Sequence, residues 1–195
     1  MPRTAARGGP QTRARISQIA TQLFLERGFD AVTVAEVARE AGVSSVTVFK
    51  HFPRKEDLLL DRADDAAELL RTAARADGDV LASLRTATLR LVDERHALSG
   101  LKDSSVPFFA TVAASPALIA RAREIADDLR QTLTGELADV PDAELLVAFY
   151  VSGYTTVLVE TARRQLAGES PDDVVDDHRT RVELLFDRLR TGFSD

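Results

Sequence analysis

Asp172, Asp173, Asp176, Asp177 and His178 put four carboxylates and an imidazole into one short stretch, an inventory able to hold a metal ion. The same residues suit a helix start, where acids meet the positive end of the helix dipole and a solvated face follows. Ser170-Pro171 directly before them is a helix-opening pair, so the second reading is preferred and no metal site is expected. His96 and His178, with many aspartates and serines, supply the parts of a hydrolytic triad by type alone. No Gly-x-Ser-x-Gly elbow, phosphate loop or His-Glu-x-x-His pair accompanies them. Cysteine is absent, which removes thiol nucleophiles, thiolate metal sites and disulfides. The chain therefore reads as a non-enzyme with no cofactor.

The chemistry that remains is recognition, concentrated between Thr33 and Phe52. Thr33 precedes an apolar run and Glu36 stands three residues on, a spacing that lets each side chain bond the other's backbone amide. Val34, Val37, Ala38 and Ala41 then recur at helical spacing. Gly42 can end that helix in the left-handed conformation, Val43 is a buried hinge residue, and Ser44 caps a second helix running through His51. Small Ala38 lets the two helices cross closely. This is a helix-turn-helix, whose second helix enters the DNA major groove.

Its flanks carry a resemblance. Thr12 to Ile16, Leu23 to Phe29, Val32 to Val34, Ala41 to Ser44 and Phe52 to Leu59 resemble the N-terminal domain of the TetR family of bacterial transcription regulators, over about a quarter of the chain (residues 12–60). The resemblance implies an all-α protein: a three-helix DNA-binding head with its helix-turn-helix, joined to a six-helix ligand-binding and dimerisation body. It departs from the pattern after the turn, where the family resembles Ser-Lys-Gly-Thr-Leu-Tyr-His-Tyr-Phe. Phe49 lacks the tyrosine hydroxyl that meets phosphate there, Val46 replaces a glycine, and His51 replaces a second aromatic contact.

Charge agrees with that division. The net charge is −6, but residues 1–55 hold nine Lys or Arg against four acids, or +5, which leaves −11 for the rest. A basic end on an acidic body suits one face that meets phosphate. Apolar residues make 45% with few Gly and Pro, a helical composition of ample length for a core. No stretch reads as a membrane span or a secretory leader, so a cytoplasmic protein without a membrane partner is expected.

Residues 1–11 read as a flexible arm, 12–54 as the DNA-binding domain and 55–195 as the ligand-binding and dimerisation domain. The periodicity predicts nine helices. They run from Thr12 to Arg27, through the two of the motif, from Lys55 to about Arg75, and from Val80 to Ala97. The others lie near Ser104 to Ala113, from Pro116 to about Leu137, from Pro141 to Leu166 with a break at Ser152-Gly153, and from Ser170 to about Thr191.

In the second helix of the motif, Ser45, Val46, Thr47, Phe49, Lys50 and His51 form the face left over by Val48 and Phe52. Ser45 and Thr47 carry hydroxyls suited to base edges, the methyls of Val46 and Thr47 suit thymine methyls, and Ser44, the cap, is counted with the DNA-binding residues. Lys50 and His51 are placed for phosphate. Thr33 and Lys55, each at a helix start, offer amides and a dipole end to phosphate, although Thr33 is a cap in either case. Arg13 and Arg15 reach the DNA backbone or minor groove. Phe49 is either a DNA contact or part of the small core, and His51 alternatively packs on the first helix.

The two last long helices are too apolar for solvent, being either core or a two-fold four-helix bundle. For that bundle the expected dimer interface is Leu145, Phe149, Ser152, Gly153, Thr156, Val182, Leu185, Phe186 and Leu189. A ligand pocket is expected from His96, Leu101, Val106, Phe108, Phe109, Phe149, Tyr150, Tyr154 and Thr155, which combine apolar area with a few polar tips; the bland alternative is core. The resulting expectation is a homodimeric regulator, a repressor released from a palindromic operator by a small-molecule effector. The alternative is a helical ligand-binding or scaffold protein whose head has altered or lost its DNA specificity.

Overall fold

The computed structural model describes residues 9–102 and 104–192. Among them are nine α-helices, two 3-10 turns and no strand. Two compact units result, residues 1–61 with 110–122 and residues 62–109 with 123–195.

The first unit begins with α1 (Gly9–Arg27), α2 (Val34–Glu40) and α3 (Ser45–His51). α1 starts earlier than expected, so residues 9–11 are helical rather than part of an arm; the remainder of that arm lies outside the described residues. Ile16, Ala20 and Phe24 are its buried stripe. Phe29, Val32, Val37, Ala38, Val48 and Phe52 are buried as well, and the Phe24 and Phe29 rings meet at 4.9 Å.

The long helix expected from Lys55 is a correction. A 3-10 turn covers Glu56–Leu58, and α4 begins only at Ala63 and ends at Ala74. Leu58 and Leu59 are both buried, while Asp61 is tied to α1 by the Ser17 hydroxyl and by Arg13, whose guanidinium donates to the Asp61 carbonyl at 3.2 Å. A helix continuing straight through would carry those groups away from α1. Asp57 also pairs with Arg121 at 2.7 Å.

The second unit holds α4, α5 (Val80–Asp93), a 3-10 turn at Ala97–Ser99, most of α6 (Ser105–Ala113) and α7 (Pro116–Glu136), then α8 (Ala143–Leu166) and α9 (Pro171–Gly192). α5 is shorter than expected because the chain turns at Arg95, whose φ is 44°. α8 is continuous through Ser152-Gly153, against expectation. Gly153 is there for packing: a Cβ at that position would run into the Leu185 side chain of α9. α8 packs chiefly on α9, and α5 on α9. Their core includes Leu84, Leu146, Val147, Tyr150, Val182, Phe186 and Leu189. Among the described residues α8 is the single unbent helix long and apolar enough to cross a membrane, contrary to the sequence expectation, and 28% of that apolar window is buried within this chain.

Candidate nucleic-acid interface

The local chemistry of α2 and α3 sets the site. Thr33 Oγ1 accepts from the Glu36 amide at 3.2 Å, and Glu36 Oε2 accepts from the Thr33 amide at 2.8 Å, the reciprocal cap expected. Arg27 donates to the same carboxylate at 2.8 Å. The Thr33 amide foremost, then Arg27 and the Thr33 hydroxyl, hold the Glu36 carboxyl at about 2. Thr33 also donates its hydroxyl to Glu36 at 2.8 Å, so its hydrogen-bonding groups are spent on a carboxylate that would repel phosphate. α2 ends in a Schellman pair: Val43 N–H donates to Ala38 O at 2.9 Å and Gly42 N–H to Arg39 O at 3.1 Å. Gly42 takes φ 63°, and the chain reverses into α3.

Ser44 caps α3, accepting from the Thr47 amide at 3.1 Å. Its hydroxyl also lies 2.9 Å from Thr47 Oγ1, so the two hydroxyls first satisfy each other. Val48 and Phe52 are the inward residues of this segment. Val46, Phe49 and Lys50 form the outward face, with Val46 66% and Phe49 50% exposed. Phe49 is therefore not a core residue. Lys50 is exposed; Ser45, Thr47 and His51 are half-buried.

Two residues expected to contact phosphate have partners within the chain. Lys55 Nζ donates to the Phe29 carbonyl at 2.7 Å and lies 4.1 Å from the Phe29 ring centre; burial lowers its pKa. It also heads only a three-residue 3-10 turn, with no long helix dipole behind it. Arg13 sits over the Phe52 ring at 4.7 Å, in addition to its bond with Asp61, so it supports the unit from within. Arg15 is exposed.

The residues expected to form a ligand pocket differ in exposure and partners. Val106, Phe149 and Thr155 are exposed. Leu101 is buried with Val92 and Val174. Phe108 and Phe109 meet edge to face at 5.6 Å, and Phe109 lies against Gly100. Tyr150 is buried and Tyr154 stacks on it at 6.3 Å. His96 Nδ1 accepts from the Leu98 amide at 3.2 Å, and His96 alone of the nine borders the open groove of about 840 Å³ between α4 and α5.

The dimer expectation divides in two. Leu145, Phe149, Ser152 and Thr156 of α8 are exposed. Val182, Phe186 and Leu189 are buried in the chain's own core, and Leu185 rests on Gly153. These five residues serve the α8–α9 contact within one subunit. On α9 the exposed apolar side chain is Leu184, at 52%.

His178 was read as part of a solvated acidic face and is instead fully buried. Its Nδ1 lies 2.8 Å from Thr161 Oγ1, and burial pushes its pKa down to about 4. The missed signal was periodicity, because His178 falls in the stripe with Val174, Val182 and Phe186. Thr88 is another buried polar residue that the sequence did not single out: its hydroxyl donates to Leu84 O at 2.8 Å and lies 3.0 Å from Tyr150 Oη. Asp177 pairs with Arg164 and Arg181, and Asp172 with Arg95. Among the described residues no group of three or more His, Asp or Glu is arranged for a metal ion.

A capped α2, a glycine reversal and an outward α3 on a basic segment make a helix-turn-helix DNA-binding head. Residues 16–61 match the model of bacterial regulatory proteins of the tetR family. One relative is the HTH-type transcriptional regulator TtgR of Pseudomonas putida, 30% identical over 99 residues, covering 48% of this chain and 47% of TtgR. The chain thus spans about half or less of the curated relatives it matches. Solved structures extend the likeness of fold to nearly the whole chain. A TetR-family regulator from Streptomyces coelicolor A3 matches with TM-score 0.61 and 22% identity, over 95% of this chain and 99% of that one. FadR of Thermus thermophilus, a TetR-family repressor solved with lauroyl-CoA, matches with TM-score 0.55 and 24% identity, over 89% and 92%. Residues 16–61 thus match the family's DNA-binding domain, and the solved structures show that nearly the whole chain shares their fold.

Proposed function

We propose that the chain is a homodimeric transcription regulator in the cytoplasm, a repressor that leaves its palindromic operator when a small molecule binds the body. Residues 12–54 act as the DNA-binding domain and 55–195 as the ligand-binding and dimerisation domain. The observation that carries this reading is the outward face of α3, where Lys50 adjoins the exposed Val46 and Phe49 on a segment of net charge +5. Such a helix enters a major groove, and flanking cations hold the phosphates.

Dimerisation is supported by the stripe Leu145, Phe149, Ser152, Thr156 and Val159 along α8, with Leu184 on α9. The exposed large apolar residues of this group are more than half exposed, and apolar stripes of this kind mark association sites. Two heads are needed because half-sites of a palindrome lie about 34–36 Å apart on one DNA face. An effector that binds one conformation of the body better shifts the population and so the spacing of the heads. The complex of Thermus FadR with lauroyl-CoA supports an effector for this chain as well.

Capture of fragmented genomic DNA on the purified protein tests the reading. One or a few sequences should be retained with a steep salt dependence; retention without sequence preference would favour the alternative of a ligand-binding or scaffold protein. The absence of Arg, Asn and Gln from α3 is what keeps that alternative in view.

A further inference from the structure

α3 reads Ser45-Val46-Thr47-Val48-Phe49-Lys50-His51. Bidentate hydrogen bonds to base pairs come mainly from Arg, Lys, Asn and Gln, and of these α3 has only Lys50. The Thr47 hydroxyl and the Ser44 hydroxyl are 2.9 Å apart, and Ser44 also holds the Thr47 amide. What α3 offers most openly is apolar: Val46 and Phe49, one helical turn apart, 66% and 50% exposed. Val48 and Phe52 already supply the inward contact, so the fold itself does not require apolar groups on the outer side.

The major groove has one apolar label, the C5-methyl group of thymine. We propose that Val46 and Phe49 are specificity-determining residues that read thymine methyl groups in each half-site, with Lys50 anchoring the adjoining backbone. The proposal rests on the DNA-binding reading of the head. DNA is the favoured occupant of this apolar pair because Lys50 directly follows Phe49 and lies one turn from Val46, within a segment of net charge +5.

The test uses the full chain and two randomised duplex pools of identical design, one copied with thymidine and the other with deoxyuridine. Uracil keeps every hydrogen-bonding group of thymine and lacks only the methyl. The thymidine pool should yield sequences with thymines at fixed places in each half. Rebuilding those sequences with deoxyuridine at one such place should weaken binding about fourfold per methyl lost. Val46→Ala and Phe49→Ala, both at exposed positions and checked for an unchanged melting temperature, should each lower the thymidine-to-deoxyuridine ratio and leave the salt slope as it was.

Equal affinity for the two forms of a selected sequence would overturn the proposal. So would a ratio that survives in both variants. Failure of both pools to yield any sequence, even at low salt, would instead overturn the DNA-binding reading beneath it.

Discussion

His178 and Thr161 form a buried pair across α8 and α9, with Nδ1 and Oγ1 2.8 Å apart. Thr161 gives its single proton to the Val157 carbonyl at 2.9 Å, so its oxygen accepts from Nδ1–H and the imidazole is neutral with its lone pair on Nε2. Burial holds the His178 pKa at about 4, below its ordinary 6.5. The unfolded chain therefore takes up a proton between those values that the folded chain refuses. Stability falls as pH drops from 6.5 toward 4, by roughly 3 kcal/mol from this group. Urea unfolding at pH 7 and at pH 4.5 should show a smaller loss for His178→Asn than for the parent chain; equal losses would remove His178 as the cause.

Lys50 and Lys55 should behave oppositely although both lie on the basic segment. Lys50→Ala should weaken binding to all sequences and reduce the salt slope by about one, with an unchanged melting temperature. Lys55→Met removes the bond to Phe29 O and should cost roughly 1–3 kcal/mol of stability while leaving the salt slope intact. Fluorescence titrations at several salt concentrations, beside thermal melts, separate the two.

Leu145→Asp with Phe149→Asp places two carboxylates on the exposed stripe of α8. Light scattering should report twice the chain mass for the parent and a single mass for the variant, with α8–α9 packing retained because both positions face away from that core. A parent chain that is monomeric at micromolar concentration would refute the dimer.

Gly42→Ala isolates backbone strain. A Cβ there meets no atom within 4 Å, but φ is +63°, which costs an L-residue about 1–2 kcal/mol. Chemical denaturation should register that loss, and no larger one, because nothing clashes.

The helix-turn-helix was legible because its determinants are local. Thr33 with Glu36, Gly42 and Ser44 each act on amides within four residues, so sequence order and spacing dictate the result. Of the face left over by Val48 and Phe52, Val46, Phe49 and Lys50 are exposed as expected, while Ser45, Thr47 and His51 are half-buried. The body was different. Val182, Phe186 and Leu189 have the same helical period whether they face their own core or a second copy, and only their burial among Leu146, Val147 and Tyr150 assigns them to the subunit. The bond from Lys55 to Phe29 was not legible because charge alone does not reveal a carbonyl 26 residues earlier. α4 was drawn too long because its delayed start comes from Ser17 and Arg13 holding Asp61.

Residue order by itself determined the all-helical class, the caps, the reversal at Gly42 and the basic end, since each is set by backbone preferences and near neighbours. The tertiary structure decided which apolar stripe is core and which is bare, that Lys55 and Arg13 are occupied, and that His178 is buried and neutral. Those outcomes depend on groups far apart in the chain, and no local pattern encodes the distance between them.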